Sequence, residues 1–393
     1  MDKDNKQKNN WQTKKLSDVC DFYNGLWKGK EPPYIEVGVI RNTNITKDGE
    51  LNDSDIAFLD VEKRQFEKRK LRCGDIILEK SGGGPKQPVG RVIVFDKNDG
   101  DFSFSNFTSA IRVKNKNELD FQFLHKLLFF SYISGITEGM QSHSTGIRNL
   151  DMNAYKEIEI SFPSLSEQKR IVKNLDGTFD QVVKVKENAE KNLQNSKELF
   201  ESYLQSIFKN TEKDWEVKKL NEISENLDSE RIPITKNVRN LGEFPYYGAS
   251  GIVDYVNNYI FDSNLLLVSE DGANLLARTY PIAFSITGKV WVNNHAHVLK
   301  FDKIESQKFV EYYLNSIKLD PFVSGMAQPK LNQKMLNSIP IPYPQFAEQK
   351  SIVKKLDELS EQTKKLEKIY QQKLENLEEL KKSILKRAFN GDL

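Results

Sequence analysis

At 393 residues, with 38% hydrophobic and 29% charged side chains, the chain is longer than one ordinary domain and has a solvated globular balance, so two cores are the default expectation. Its 58 Lys and Arg face 56 Asp and Glu, a net charge of +2, which excludes coating of DNA through bulk charge and restricts nucleic-acid contact to local patches. Two cysteines, Cys20 and Cys73, exclude a disulfide framework and suit a reducing cytoplasm.

In chain order, the first ten residues are polar and charged, without the apolar stretch of a secretory leader. Asp75–Leu78 and Gly90–Phe95 read as strands around a Gly-rich turn, Ala110–Val113 as another strand, and Phe121–Tyr132 as a helix. The most apolar run, Leu127–Ile136, is interrupted by Ser131, Tyr132 and Ser134 and is too short to cross a bilayer, so a cytoplasmic protein without membrane contact is expected. A long helix follows Pro163-Ser164. The second half predicts a strand at Leu265–Val268, strand-like runs around Trp291 and Val298, and a helix over Phe309–Ile317. A second long helix follows Pro344-Gln345 and ends at Gly391.

The halves repeat. Glu167-Gln168-Lys169-Arg170-Ile171-Val172 returns as Glu348-Gln349-Lys350-Ser351-Ile352-Val353, 181 residues on, and the same shift relates Leu150 to Leu331, Pro163 to Pro344 and Phe208 to Phe389. Upstream the register drifts: Trp11…Leu16 matches Trp215…Leu220 at 204, and Arg91 matches Arg278 at 187. Loops tolerate insertion, whereas an inserted residue rotates every later side chain of a packed helix off its buried face. The length-locked blocks are therefore helices. Ile352, Leu356, Leu359, Thr363, Leu366, Tyr370, Leu377, Leu380 and Ile384 form an a/d seam broken by Lys373. The first copy, Ile171, Leu175, Val182, Val185, Ala189, Leu199 and Tyr203, carries Asn192 and Ser196 in its seam. Each stripe needs a partner stripe, and the other copy is the obvious one; two helices packed separately on their own domains is the alternative.

The expected fold is mixed α/β (α+β): two globular domains separated by a pair of long antiparallel coiled-coil helices, with a pseudo-two-fold internal repeat. Its boundaries are a first globular domain over 1–163, a helix over 164–210, a second globular domain over 211–344 and a helix over 345–393.

These parts resemble the specificity (S) subunit of type I restriction–modification enzymes. The resemblance rests on the Pro-x-x-x-Glu-Gln-Lys-x-Ile-Val starts at 163–172 and 344–353, the ending Leu380…Ser383-Ile384-Leu385-Lys386-Arg387-Ala388-Phe389-Asn390-Gly391, and the openings Trp11…Leu16 and Trp215…Leu220. Gly146-Ile147-Arg148-Asn149-Leu150, Pro245-Tyr246-Tyr247-Gly248-Ala249-Ser250-Gly251 and Glu270-Asp271-Gly272-Ala273-Asn274 are also similar to that family. It covers nearly the whole chain and lies in the order of parts more than in any one motif. The resemblance implies that each domain reads one half of a bipartite double-stranded DNA target. It also implies helices that dock two methyltransferase (M) subunits, with two restriction/motor (R) subunits completing the complex. The chain itself would bind no cofactor and catalyse nothing; S-adenosylmethionine, ATP and Mg would belong to the partner subunits.

The loop from Lys80 to Arg91 is the first DNA-contact candidate. Its glycines let a backbone approach DNA, while Lys80, Ser81, Lys86, Gln87 and Arg91 supply phosphate or base-edge partners. A flexible surface hairpin is the competing reading. It is no Walker loop, because no Gly-Lys-[Ser/Thr] ends it. Asn274 and Arg278 are its counterpart in the second half; Arg148 and Asn149, with Lys330 equivalent to Asn149, form a second matched location. Tyr246 and Tyr247 fit stacking, phosphate contact or plain structure. His295 and His297 would share one strand face, as structural or DNA-contacting groups or, with Asp302, a weak metal set. Glu31-Pro32-Pro33-Tyr34 reads as an extended turn and not as an amino-methyltransferase signature, because Glu stands where Asp or Asn must bond the target amino group. Asp75…Glu79-Lys80 has a nuclease flavour, but the adjacent acid and lysine would face opposite sides of a strand. An enzyme acting alone and a coiled-coil adaptor whose heads bind proteins remain the alternatives.

Overall fold

The computed structural model describes residues 10–392 except 28, 30, 85–86, 145, 210–213 and 326–327. The chain divides into two compact units, Met1–Asn188 with Lys373–Leu393, and Ala189–Gln372.

The first unit begins with β1 (Gln12–Lys15), α1 (Leu16–Val19), β2 (Cys20–Asn24), β3 (Tyr34–Ile40), β4 (Ala57–Glu62), α2 (Lys63–Arg69) and β5 (Asp75–Glu79). It continues through β6 (Ser81–Gly83), β7 (Val92–Phe95), β8 (Phe102–Phe104), β9 (Thr108–Val113), α3 (Phe121–Ile133), β10 (Gln141–Ser144), β11 (Ile147–Leu150), α4 (Met152–Lys156) and β12 (Glu159–Phe162). The central sheet is antiparallel in the order β2-β9-β5-β7. Its middle strand β5 carries Ile76, Ile77 and Leu78, none with exposed surface, which is why that strand reads as an unbroken apolar run. The N-cap Asp120 starts α3 by accepting the amides of Gln122 (2.9 Å) and Phe123 (3.0 Å), and Phe123, Leu124 and Leu128 pack into the core. Two smaller sheets, β4-β3-β8 and β10-β11-β6, and the β1-β12 pair complete the domain.

The second unit contains β13 (Glu216–Lys219), α6 (Leu220–Ile223), β14 (Glu225–Asn226), β15 (Leu241–Gly248), β16 (Gly251–Val256), β17 (Phe261–Asp262), β18 (Leu265–Ser269) and α7 (Asn274–Ala277). Then come β19 (Ala283–Ile286), β20 (Lys289–Val292), β21 (Ala296–Lys300), α8 (Ile304–Ser316), α9 (Gln333–Asn337) and β22 (Pro340–Tyr343). Its sheet β14-β21-β18-β19 repeats the first central sheet strand for strand, and β13-β22 repeats β1-β12. The N-caps Asp151 of α4 and Asn332 of α9 stand at the 181-residue shift; their side chains accept the amides of Asn153 (2.8 Å) and Met335 (3.0 Å). The units differ in their outer sheets: the second has the four-stranded β16-β15-β20-β17.

Two helices of 45 residues, α5 (Leu165–Lys209) and α10 (Phe346–Asn390), account for the locked blocks; each is about 68 Å long at 1.5 Å per residue. The repeated glutamine explains the locking. Gln168 is buried, donates to Pro163 O (2.8 Å) and Glu118 O (2.9 Å), and accepts the Asp120 amide (2.8 Å). Gln349 donates to Pro344 O (2.8 Å) and accepts the Ser306 hydroxyl (2.7 Å). Each fastens the first turn of a long helix to the start of α3 or α8. In the first unit Ile171, Val172 and Leu175 share a core with Leu385, Ala388 and Phe389, while Lys186 pairs with Glu378 (3.0 Å), so the two helix segments run antiparallel. In the second unit Leu204 and Ile207 share a core with Ile352, Val353 and Leu356.

The seam corrects the sequence reading. Leu193 and Phe200 are half-buried where Asn192 and Leu199 are exposed, and Leu374 is half-buried where Lys373 is exposed. Val185, Leu366 and Leu380 likewise face outward. At these positions the stripe lies one residue later, because a helix of 3.6 residues per turn drifts against a 3.5-residue count and the domains fix its phase, whereas Ile171, Leu175, Ala189, Ile352, Leu356, Thr363 and Leu377 are buried as the seam requires. Lys373 therefore interrupts nothing. Ser196 does stay buried, with its hydroxyl bonded to Asn192 O (2.7 Å). Among the described residues no helix is long and apolar enough to cross a membrane.

Candidate nucleic-acid interface

Several sequence-named residues turn inward. Arg91 is buried and grips Glu79 through two bonds, Nε to Oε2 (2.7 Å) and Nη2 to Oε1 (2.8 Å), with Nη1 on Ile45 O. Burial works against its charge, but the hydrogen bond and charge of Glu79 win and raise its pKa. The Gln87 amide oxygen faces the same guanidinium at 2.8 Å. A saturated fork has no donors left for a base, so Arg91 holds the loop to the core and does not reach outward, whereas Gln87 is itself exposed. Asp75 is held in the same way by Arg112 (2.7 and 2.6 Å), which places both nuclease-flavoured carboxylates in structural pairs.

The second unit needs similar corrections. Arg278 adopts a left-handed backbone (φ 55°) and donates to Ile317 O and Leu314 O, closing the C-terminal end of α8. Burial lowers its pKa. It is not the counterpart of Arg91: Leu78 pairs with Val92 and Val268 with Ala283, so Ile282 occupies that place. Asn274 is buried and closes its own turn, accepting the Thr279 amide and donating to Tyr280 O (both 2.9 Å). Tyr246 is buried, its hydroxyl accepting the Ile234 amide (3.1 Å) and its ring lying under the Arg239 guanidinium (4.3 Å). Tyr247 is half-buried near Phe284. His295 and His297 part company: His295 precedes β21 and bonds Asp271 (2.8 Å), whereas His297 is buried between Asp228 (2.6 Å) and Leu331 O (2.7 Å). Burial pushes Asp228 up, yet the bonds from His297 and Val298 and the charge of Arg231 hold its carboxyl below the usual range. Among the described residues no acid, histidine or cysteine cluster could hold a metal ion.

The remaining candidates meet. In the first unit β11 pairs with β6, setting Asn149 opposite Ser81 and Arg148 opposite Gly83. Ser81 Oγ and Asn149 Oδ1 are hydrogen-bonded, and the Leu150 amide donates to Lys80 O (2.8 Å). Two amides that the sequence did not reveal complete this surface: Asn24 accepts from the Lys80 ammonium (3.0 Å) and Asn42 donates to Ser81 O (2.6 Å). They lie 56 and 39 residues from those partners, so no local pattern could have found them. Lys86 falls outside the described residues. In the second unit the Leu331 amide, 181 residues after Leu150, donates to Glu270 O (2.8 Å), 190 residues after Lys80, and Asp271 bridges Lys330. The side chains differ: Glu270 binds Arg231 (2.6 Å) and Lys330 (3.2 Å) where the first unit presents Lys80 and Asn149. One framework thus carries two unlike donor and acceptor rows.

The model of the type I restriction modification DNA specificity domain matches residues 8–195 and again 212–376. The chain belongs to that family. Each matched segment of this specificity protein contains one of the two polar rows. A putative type I restriction enzyme specificity subunit of Haemophilus influenzae is 35% identical over 159 residues, 40% of both chains. A putative MjaX specificity subunit of Methanocaldococcus jannaschii is 24% identical over 98% of this chain and 93% of its own. Among solved structures, one concerned with complex assembly and conformational transition of the type I R-M system has a TM-score of 0.79 at 19% identity, covering 99% of this chain and 100% of that one. The HsdS subunit from Thermoanaerobacter tengcongensis has a TM-score of 0.64 at 20% identity, covering 98% of each. These likenesses establish the specificity-subunit fold.

Proposed function

We propose that this chain is the DNA-reading scaffold of a type I restriction–modification complex, each specificity domain reading one half of an asymmetric bipartite target. One observation carries the reading: the same backbone position presents Lys80 with Asn149 in one domain and Glu270 with Lys330 in the other. Equal frames with unequal base-edge chemistry suit two different half-sites, whose separation is a geometric constant of the reader. The long helices set that separation and dock two methyltransferase subunits, with two restriction/motor subunits completing the complex. Val185, Leu199, Leu366, Ile369 and Leu380 supply the apolar contacts, since all are left exposed on α5 and α10. S-adenosylmethionine, ATP and Mg belong to those partners.

Purified alone, the chain is expected to transfer no methyl group from S-adenosylmethionine and to cut no DNA with a divalent metal. With its methyltransferase partner, gel shifts of genomic fragments are expected to become sequence-selective. Methyl transfer or cleavage by the chain alone would mark it as an enzyme, and unselective retention in the complex would favour a protein-binding adaptor.

A further inference from the structure

In the first unit, one cation stands apart from the paired arginines beneath it. Lys80 is half-buried, its ammonium bonds the neutral amide of Asn24 (3.0 Å), and among the described residues no carboxylate lies within ion-pair distance of it. Burial lowers its pKa with nothing opposing. A partly desolvated ammonium held only by an amide is incomplete until an acceptor reaches it.

Its surroundings are aromatic. Phe107 O accepts the amides of both Lys80 (3.0 Å) and Ser81 (3.2 Å), which pins the Ser105–Thr108 turn to the lysine, and the Thr108 amide closes that turn on Ser105 O (3.0 Å). The Phe107 ring, 47% exposed, stands over Gly82, where a Cβ would lie 3.7 Å from it and 2.9 Å from the Asn42 amide nitrogen. Gly82 has φ 98°, a conformation that favours glycine. The neighbouring turn at Gly25 approaches so closely that a Cβ there would overlap Ser105 O, and the Leu26 amide donates to Phe104 O (2.8 Å). The next residue, Trp27, is 67% exposed. Two exposed rings therefore sit on adjacent, mutually bonded turns beside one uncompensated cation.

We propose that Trp27, Lys80 and Phe107 form the base-reading element of the first domain: the Lys80 ammonium bonds a purine acceptor in the major groove, and the two rings pack on flanking thymine methyls and base edges. The inference rests on the DNA-reading function above. A phosphate is the weaker partner, because exposed rings gain nothing from a phosphate oxygen, whereas they pack on thymine methyls in the groove.

The test uses the complex with its methyltransferase partner and duplex libraries randomised across both half-sites. Lys80→Gln, Trp27→Ala and Phe107→Ala should each relax one or two positions of a single half-site, with discrimination falling roughly ten- to hundred-fold, while the other half stays intact. Phe58→Ala, another exposed ring of this domain at 60%, should change neither half. Unfolding in urea should match the unaltered protein for all four. The inference is overturned by a uniform fall in methylation with both halves intact, by no change in either half, or by an equal effect of Phe58→Ala. If the unaltered complex shows no bipartite preference, the DNA-reading function itself fails, and this inference with it.

Discussion

The two specificity domains share a frame and differ inside it. Both fix the long helix with a buried glutamine, cap the short helix before it with Asp151 or Asn332, and order four central strands alike. Their polar interiors diverge: the first is built on two bidentate pairs, Arg91–Glu79 and Arg112–Asp75, the second on a network of Asp228, Arg231, Glu270 and His297. The difference teaches that the contacts repeated at constant shift are those joining domain to helix, whereas the contacts behind Lys80 and Lys330 are private to their domain.

The widest gap between the domains should appear on breaking a buried ion pair. Arg91→Met leaves Glu79 charged and without its partner in the core, and should cost the first unit about 3–5 kcal/mol in chemical denaturation. Arg231→Met should cost less, because Glu270 keeps Lys330 and Asp228 keeps His297. Equal losses would break the contrast.

A pH difference comes next. His125 is buried, and burial, with help from the neighbouring Lys126 charge, lowers its pKa to about 4, against weaker upward pulls from backbone acceptors and Asp176. From about pH 6.5 down to 4 the unfolded chain carries a proton there that the folded chain lacks, so stability falls as pH falls, by about 3 kcal/mol over the full window. His125→Gln should flatten that slope in the first unit. An unchanged slope would assign it to other groups.

The shared frame can be graded by its glutamines. Gln168→Leu strips partners from three backbone groups and should cost about 2–3 kcal/mol, while Gln349→Leu strips two bonds and should cost less. The smallest effect concerns helix phase: Leu193→Ala should cost about 1–2 kcal/mol and Asn192→Ala under about 0.5. The reverse order would restore the stripe counted from the sequence.

The repeat, the long helices and most strands were legible because periodicity and constant shift are local properties. Phe121–Tyr132 was found within a residue of α3, whereas α8 begins at Ile304, five residues before the predicted Phe309, because Glu305, Ser306, Gln307 and Lys308 make its first turn polar. The candidate interface was only half legible. Lys80, Ser81 and Asn149 do meet, but composition could not tell Lys80 from Arg91, since their fates depend on Asn24 and Glu79 across the sheet. Likewise Asn274 and Tyr246 carry groups suited to DNA and spend them on their own turns.

The proposed function makes α5 and α10 the ruler between two unlike half-sites. Methylome sequencing of cells expressing the chain with its methyltransferase partner, before and after deleting seven matched residues from both helices, tests it most directly. The account predicts two short specified halves around unspecified bases, and after deletion the same halves with a shorter gap or no methylation at all. A single uninterrupted motif, or a gap of unchanged length after deletion, would contradict it.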